Sequence, residues 1–187
     1  MNPQLEAAWE IGQFLTRRGV TYAIIGGIAV QRWGEPRFTR DIDLSVAYPL
    51  ATGSAEFVRL ITAHFPSRSA DPVAFARTTR MLLVTASNGV DVDISLALPG
   101  YEDDLFARAV DYEVAPGRSV RLCSAEDLIV HKAVAGRPQD LHDIQGVVLR
   151  QGVKLDVTYV RRWLKEFADV LGNPDVIGRF EAAWRKR

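Results

Sequence analysis

Two aspartates separated by one apolar residue, Asp41 and Asp43, are the residues whose types and spacing most directly indicate chemistry. Apolar and β-branched residues follow them, so we predict a strand over residues 40–46. Side chains alternate between the faces of a strand, so both carboxylates project to one side, with Cα atoms about 6.6 Å apart. Two carboxylates on one face repel each other, and hard divalent cations prefer oxygen ligands. The pair therefore predicts a metal site, with a solvated acidic pair as the alternative.

The glycine pair Gly26-Gly27 follows a short apolar segment, residues 21–25, and precedes residues 28–33, which could form one or two helical turns. Glycine at a strand-to-helix junction lets the backbone approach a ligand, and the N–H groups at a helix N-terminus favour phosphate. Alone, the two glycines predict only a tight turn. Together with the aspartate pair they favour a site that binds phosphate and metal.

A third carboxylate comes from a later strand-like run, residues 90–97. Asn88-Gly89 separates this run from residues 80–86, and Asn-Gly between two such runs predicts an antiparallel hairpin. If the run lies beside the aspartate pair, Asp93 completes a cluster that needs a cation, and two bridged divalent ions, about 3.5–4 Å apart, could clamp an in-line phosphoryl displacement. Asp91 shares the face of Asp93, but for it we favour a solvated position near the turn.

The other elements predicted from periodicity and capping residues are mainly helices. They are helices over residues 4–18, 54–65, 101–109, 125–135, 138–150, 156–171 and 175–185, and a strand pair over residues 110–114 and 118–123. Residues 48–53 are a predicted loop, and Ser54 is the predicted N-cap of the helix that follows. The sequence thus predicts an α/β part over residues 1–123 and a helical C-terminal region over residues 124–187.

Composition excludes several classes of protein. The 187 residues carry 23 basic and 23 acidic side chains, so net charge does not indicate a polyanion partner. A single cysteine, Cys123, excludes an internal disulfide and a cysteine-based zinc site. No apolar run reaches membrane-spanning length and the first residues lack a signal-peptide pattern, so we expect a cytoplasmic protein with no membrane partner. Nicotinamide-binding, Walker-type and serine-nucleophile motifs are all missing.

The order of these motifs resembles the DNA polymerase β-like nucleotidyltransferase superfamily. Within it, four segments are similar to the AbiEii-like nucleotidyltransferases, the toxin halves of type IV toxin–antitoxin systems: Gly26–Ala29, Arg37–Leu44, Asp93–Glu102 and Lys132–Asp143. The likeness runs from about residue 20 to residue 145. It implies an α/β (α+β) nucleotidyltransferase fold, with a mixed β-sheet flanked by helices and a helical C-terminal region. It also implies a Mg²⁺-dependent transferase that moves NMP from an NTP to an acceptor hydroxyl.

The resemblance implies roles for the first group of site residues. Gly26 and Gly27 would hold the triphosphate. Asp41, Asp43 and Asp93 would be the catalytic carboxylates and would ligate Mg²⁺, with two ions expected. Asp93 could also act as general base toward the attacking hydroxyl.

A second group would bind or support the nucleotide. Arg37 and Thr39 precede the metal strand and could touch phosphates or the base, with a solvated loop as the alternative. Lys132 and Arg137 match basic residues of the family, and cations there could neutralise developing phosphate charge. The supporting residues Asp140 and Asp143 lie at i and i+3 of a predicted helix. They could fix Lys132 or Arg137, contact the substrate, or form a solvated helical turn.

The predicted partners are an NTP, an acceptor such as tRNA, other RNA or a protein, and a cognate antitoxin. Residues 150–187 hold nine Lys or Arg against five Asp or Glu, and this local excess could meet RNA phosphates or be a solvated helical face. Two alternatives remain open. One is a small-molecule transferase of the antibiotic-modifying type, and the other is a non-catalytic module that binds nucleotide or a partner.

Overall fold

The computed structural model describes residues 2–47 and 54–187, apart from the Ser54 side chain. The chain divides into two compact units, one of Met1–Ile28 and Thr39–Leu122 and the other of Ala29–Phe38 and Cys123–Arg187. The predicted loop over residues 48–53 and the predicted capping role of Ser54 lie outside the described residues. Within the described ranges no helix is both long and apolar enough to cross a membrane.

The first unit is built on a six-stranded mixed sheet with the strand order β3-β4-β2-β1-β6-β5. The strands are β1 (Tyr22–Ile24), β2 (Ile42–Val46), β3 (Met81–Thr85), β4 (Asp91–Leu96), β5 (Val110–Ala115) and β6 (Arg118–Leu122). β2 is parallel to β4 and antiparallel to β1, β1 is parallel to β6, and the β3-β4 and β5-β6 pairs are antiparallel. The predicted hairpin at Asn88-Gly89 is therefore present.

Helices precede or connect these strands. They are α1 (Pro3–Thr16), α2 (Gly26–Trp33), which begins in this unit, α3 (Ser54–Thr62), α4 (Pro72–Thr79) and α5 (Tyr101–Arg108). Of these helices, α4 was not predicted from the sequence. Its signals were nevertheless present, because the Asp71 carboxylate accepts a hydrogen bond from the Ala74 N–H at 2.9 Å and Pro72 is the first helical residue.

Alternation along β2 and β4 separates apolar from acidic side chains. Ile42, Leu44, Val92 and Ile94 are fully buried, whereas Asp43 and Asp93 are only half-buried. The strand predicted over residues 40–46 begins at Ile42, because its pairing with β4 starts there, opposite Val92. Asp41 is therefore the residue just before the strand.

The second unit is helical. It contains α6 (Ala125–Ala135), α7 (Pro138–Gln151), a 3₁₀ turn (Gly152–Lys154), α8 (Val157–Leu171) and α9 (Asp175–Trp184). α6 packs against α7, α8 and α9, and its residues Leu128, Ile129, Val130 and Ala133 are fully buried. A helix covered on several sides must pair any charge it carries. Lys132 on α6 is such a charge.

Candidate active site

The first unit brings together the three predicted carboxylates. One carboxylate oxygen from each of Asp41, Asp43 and Asp93 lies within 4.8 Å of the others. The parallel pairing of β2 and β4 sets this arrangement, because Asp43 stands directly opposite Asp93 in the register. Oxygen-only ligands on half-buried side chains fit a hard divalent cation. We refer to these three residues as the acidic triad.

The glycine turn at the start of α2 lies against the triad. Gly26 has φ of +63°. A Cβ atom added at Gly26 would overlap the Asp43 side chain and would lie 2.8 Å from the Asp43 Cβ. The Ile25 N–H also donates a hydrogen bond of 2.9 Å to the Asp43 carbonyl. At Gly27 an added Cβ would overlap the side chain of Thr39. Both glycines are therefore required by the close approach of site residues.

Thr39 contacts the triad directly. Its buried hydroxyl lies 3.1 Å from Asp41 Oδ1 and 3.3 Å from the Asp41 carbonyl oxygen, each of which can accept its proton. The side chain thus orients Asp41, whose position just before β2 leaves it outside the strand ladder.

Arg68 also lies at the triad, although its sequence context did not predict it. Its Nη2 donates to Asp93 Oδ1, and its Nε lies 3.4 Å from Asp91 Oδ1. Asp91 is not part of the triad's ligand set among the described residues, and its side chain is 49% exposed. No local sequence pattern predicts the position of Arg68, because the β-bridge between Ser67 and Val84 brings it beside the sheet.

The second unit joins the remaining predicted residues in one ionic network, which consists of Arg37, Lys132, Arg137, Asp140 and Asp143. Lys132 Nζ lies 2.9 Å from both Asp140 Oδ1 and Asp143 Oδ2. Arg37 binds both oxygens of Asp143, at 2.8 and 2.9 Å. Arg137 Nε donates to Asp140 Oδ2 at 2.7 Å. Asp140, Asp143 and Lys132 are buried, so these carboxylates fix cations and are not a solvated helical turn.

The network determines the protonation state of its carboxylates. Burial pushes the pKa of Asp140 upward, but hydrogen bonds from Arg137 and Lys132 outweigh it and leave that pKa below its ordinary value. For Asp143, burial again acts upward, and the bonds from Arg37 and Lys132 again lower the pKa overall. The bond to Asp143 in turn raises the pKa of Arg37. Asp140, Asp143 and Arg37 are therefore charged at neutral pH.

Comparisons with known proteins agree with this fold. The family model described as "Nucleotidyl transferase of unknown function (DUF2204)" matches residues 4–173. No curated protein matches the sequence. An antigenic nucleotidyltransferase-like protein from Paracoccidioides brasiliensis is 17% identical, covers 95% of this chain and 92% of its own, and has a TM-score of 0.56.

A second solved structure, the lincosamide antibiotic adenylyltransferase LnuA with lincomycin bound, is 14% identical. The match covers 76% of this chain and 94% of that protein, with a TM-score of 0.52. At such identities the likeness shows the fold alone. It confirms the predicted fold class, a mixed sheet flanked by helices with helices at the C-terminal end.

Alanine at Gly26 should disturb the triad, whereas alanine at Gly19 should not. Both glycines are left-handed, with φ of +63° and +67°, so each substitution carries a similar backbone cost of roughly 1–2 kcal/mol. No described heavy atom lies within 4 Å of a Cβ at Gly19, but a Cβ at Gly26 overlaps Asp43. In urea titrations Gly26→Ala should lose a further ~1–3 kcal/mol of unfolding free energy. Only Gly26→Ala should weaken Mn²⁺ binding, and equal behaviour of the two variants would contradict this.

Asparagine at Asp143 should remove part of the acid sensitivity of folding. The pKa of Asp143 is lowered in the folded state, so its stabilisation is present above the unfolded pKa of about 3.9 and is lost as pH falls through the folded value. At pH 7 Asp143→Asn should cost about 3–5 kcal/mol, because Arg37 and Lys132 lose a buried partner.

This difference from wild type should shrink as pH falls below about 4, as measured by chemical denaturation at a series of pH values. Asp169→Asn, at an exposed position of α8, is the matched control and should follow wild type throughout. If the difference in unfolding free energy between wild type and Asp143→Asn does not change with pH, the lowered pKa of Asp143 is refuted.

Proposed function

We propose that this chain, which belongs to the nucleotidyl transferase family of unknown function DUF2204, transfers a nucleoside monophosphate from an NTP to an acceptor hydroxyl with the help of Mg²⁺. The observation that carries the proposal is the acidic triad, whose three carboxylate oxygens lie within 4.8 Å of one another beside a glycine turn. Family membership alone supports nucleotidyl transfer only in general.

The donor set fits the ion. Three carboxylates this close repel one another, and oxygen ligands without histidine or cysteine suit Mg²⁺ or Mn²⁺. When bound, Mg²⁺ supplies Lewis-acid polarisation of the phosphoryl oxygens and neutralises their developing charge. Asp41, Asp43 and Asp93 would hold it, while Thr39 orients Asp41. The presence of a second ion stays a prediction.

In the first unit we assign one role to the glycine turn and a second role to Asp93. The turn at Gly26-Gly27 opens α2, and the N–H groups of a helix start attract phosphate, so we place the triphosphate there. The acceptor oxygen forms a bond to the α-phosphorus, and the bond from that phosphorus to the oxygen bridging to the β-phosphate breaks. Pyrophosphate leaves with its electron pair, and the acceptor proton passes to the Asp93 carboxylate, as expected of a general base.

In the second unit, the contacts of Asp140 and Asp143 support a role in positioning the neighbouring cations. Lys132 is buried and shares its charge between Asp140 and Asp143, and Asp143 also clamps Arg37. Arg137, whose side chain is 72% exposed, presents the most accessible cation of this network. Direct nucleotide binding by Arg37, Thr39, Lys132 and Arg137 stays a prediction.

The acceptor has two candidate classes. Our first candidate is a macromolecule, tRNA, other RNA or a protein, and with it the role of a type IV toxin with a cognate antitoxin stays a prediction. A small molecule is the second candidate, the class of acceptor bound in the lincosamide adenylyltransferase LnuA, whose fold is similar. Fold does not choose between them.

Binding of NTP should require both the metal and the triad. Calorimetric titration of each NTP with Mg²⁺ into wild type should give binding that disappears on chelation with EDTA. The Asp41→Ala/Asp43→Ala variant should bind at least about tenfold more weakly, because the remaining single carboxylate cannot hold the ion.

Asp169→Ala, which removes an exposed carboxylate of α8, is the control and should bind as wild type does. Wild type that binds no NTP at millimolar concentration would sink the enzyme proposal. Binding that survives the double substitution would instead indicate a non-catalytic nucleotide-binding module.

The label retained by the acceptor should identify the reaction. With α-³²P NTP, wild type should transfer radioactivity to an acceptor, while γ-³²P should appear only in pyrophosphate. Label in acid-insoluble material would identify an RNA or protein acceptor, and label in soluble adducts with added lincosamides or aminoglycosides would identify a small molecule. Asp93→Asn should lower the rate by about 10²-fold or more, since it removes a ligand and the proton acceptor. Transfer of the γ-label would contradict nucleotidyl transfer.

A further inference from the structure

Arg68 is anchored to the edge of the sheet next to the triad. Its backbone N–H donates to the Leu83 carbonyl at 2.9 Å, and its Nε donates to the Val84 carbonyl at 3.2 Å. The guanidinium extends along the face of β4 that carries the acidic residues, where its Nη2 binds Asp93 and its Nε approaches Asp91. The Arg68 side chain is 29% exposed, so water only partly screens these charges.

The carboxylate contacts of Arg68 are not needed to hold its own segment. Thr85 N–H donates to the Pro66 carbonyl at 2.9 Å, and Ser67 is bridged to Val84, so the backbone already fixes residues 66–68 against β3. The ion pairs of the guanidinium with Asp91 and Asp93 are therefore not required to hold this segment. In the triad the guanidinium pairs with Asp93, so one of the three clustered carboxylates has a positively charged partner.

The position of Arg68 also separates it from the proposed triphosphate site. In the strand order β3-β4-β2-β1, Arg68 lies on the β3 side of the triad. The Gly26-Gly27 turn follows β1, on the opposite side. Arg68 therefore acts on the triad through Asp93 and not through the glycine turn.

We infer that Arg68 is the counter-ion of the acidic triad: its guanidinium holds Asp93 when no cation is bound and competes with the divalent cation for that carboxylate. This inference rests on the proposed function, because it assigns regulation to the same metal site. Cation and guanidinium cannot both neutralise Asp93 fully, so each weakens the binding of the other. Arg68 is a positioning residue that keeps cation binding weak until substrate arrives.

The test is the affinity for Mn²⁺ without nucleotide, measured from the electron paramagnetic resonance signal of the free ion. Arg68→Gln should bind Mn²⁺ about tenfold more tightly than wild type, because a positive charge beside the site is gone. This gain should diminish at high salt, which screens the charge that was removed. Arg68→Lys, which retains the charge, should lie between the two.

Arg77→Gln is the matched control, since Arg77 is exposed on α4 in the same unit and has no part in the triad. It should leave the Mn²⁺ affinity unchanged. An Arg68→Gln variant that is folded and binds Mn²⁺ with unchanged or weaker affinity would overturn the inference. If folded wild type and Arg68→Gln both bind no Mn²⁺, the proposed function fails as well, whereas equal binding by both removes only the role of Arg68.

A measurement on wild type covers the case in which Arg68→Gln does not fold. Phenylglyoxal modifies accessible guanidinium groups, and mass spectrometry locates the modified arginines. Saturating Mn²⁺ should raise the modification rate of Arg68 several-fold, because the cation displaces the guanidinium from Asp93, and should leave the rate at Arg77 unchanged. A rate at Arg68 that does not respond to Mn²⁺ would overturn the inference.

Discussion

The parallel register between β2 and β4 is the constraint on which the candidate site depends. It sets Asp43 opposite Asp93, and the apolar neighbours Ile42, Leu44, Val92 and Ile94 keep it there by filling the core face. A slip of one residue would bury an aspartate and expose an isoleucine, so the hydrophobic core specifies the same register that gathers the charge. The core therefore supplies the stability that the repulsion within the triad consumes.

In the second unit, aspartates neutralise a buried lysine. α6 is buried on several sides, and Lys132 in its last turn would be an isolated buried charge without Asp140 and Asp143. Those two carboxylates also bind Arg137 and Arg37, so Lys132, Asp140 and Asp143 each have two charged partners. Loss of one of these three buried residues leaves the opposite charge buried without a full set of partners, which costs more than the ion pair itself contributes.

The sequence predicted well the parts of the fold that local patterns specify. Strand alternation predicted that Asp43 and Asp93 project from a polar face, and Asn88-Gly89 predicted the hairpin that carries Asp93. Asp41, which the same alternation placed beside Asp43, lies just before β2 and outside the strand, although its carboxylate also reaches the triad. Contacts between distant segments escaped it. Arg68 lies on Asp93 only because residues 66–68 pair with β3, and no periodicity within that segment encodes the pairing. For the helix at Pro72 the Asp-Pro start was present, but the eight-residue segment is too short for a clear helical period.

Charge balance within the proposed function ties metal to substrate. The triad carries three negative charges and an NTP carries about four more, so a triphosphate could not approach it unless cations intervene. Arg68 neutralises one of the three and, being fixed to the sheet edge, does so without the cost of ordering a long side chain at the moment of binding. A divalent cation that entered with the triphosphate would take the place of that guanidinium at Asp93. The proposed function therefore implies that metal and nucleotide bind cooperatively, with Asp93 as the carboxylate for which Arg68 and the metal compete.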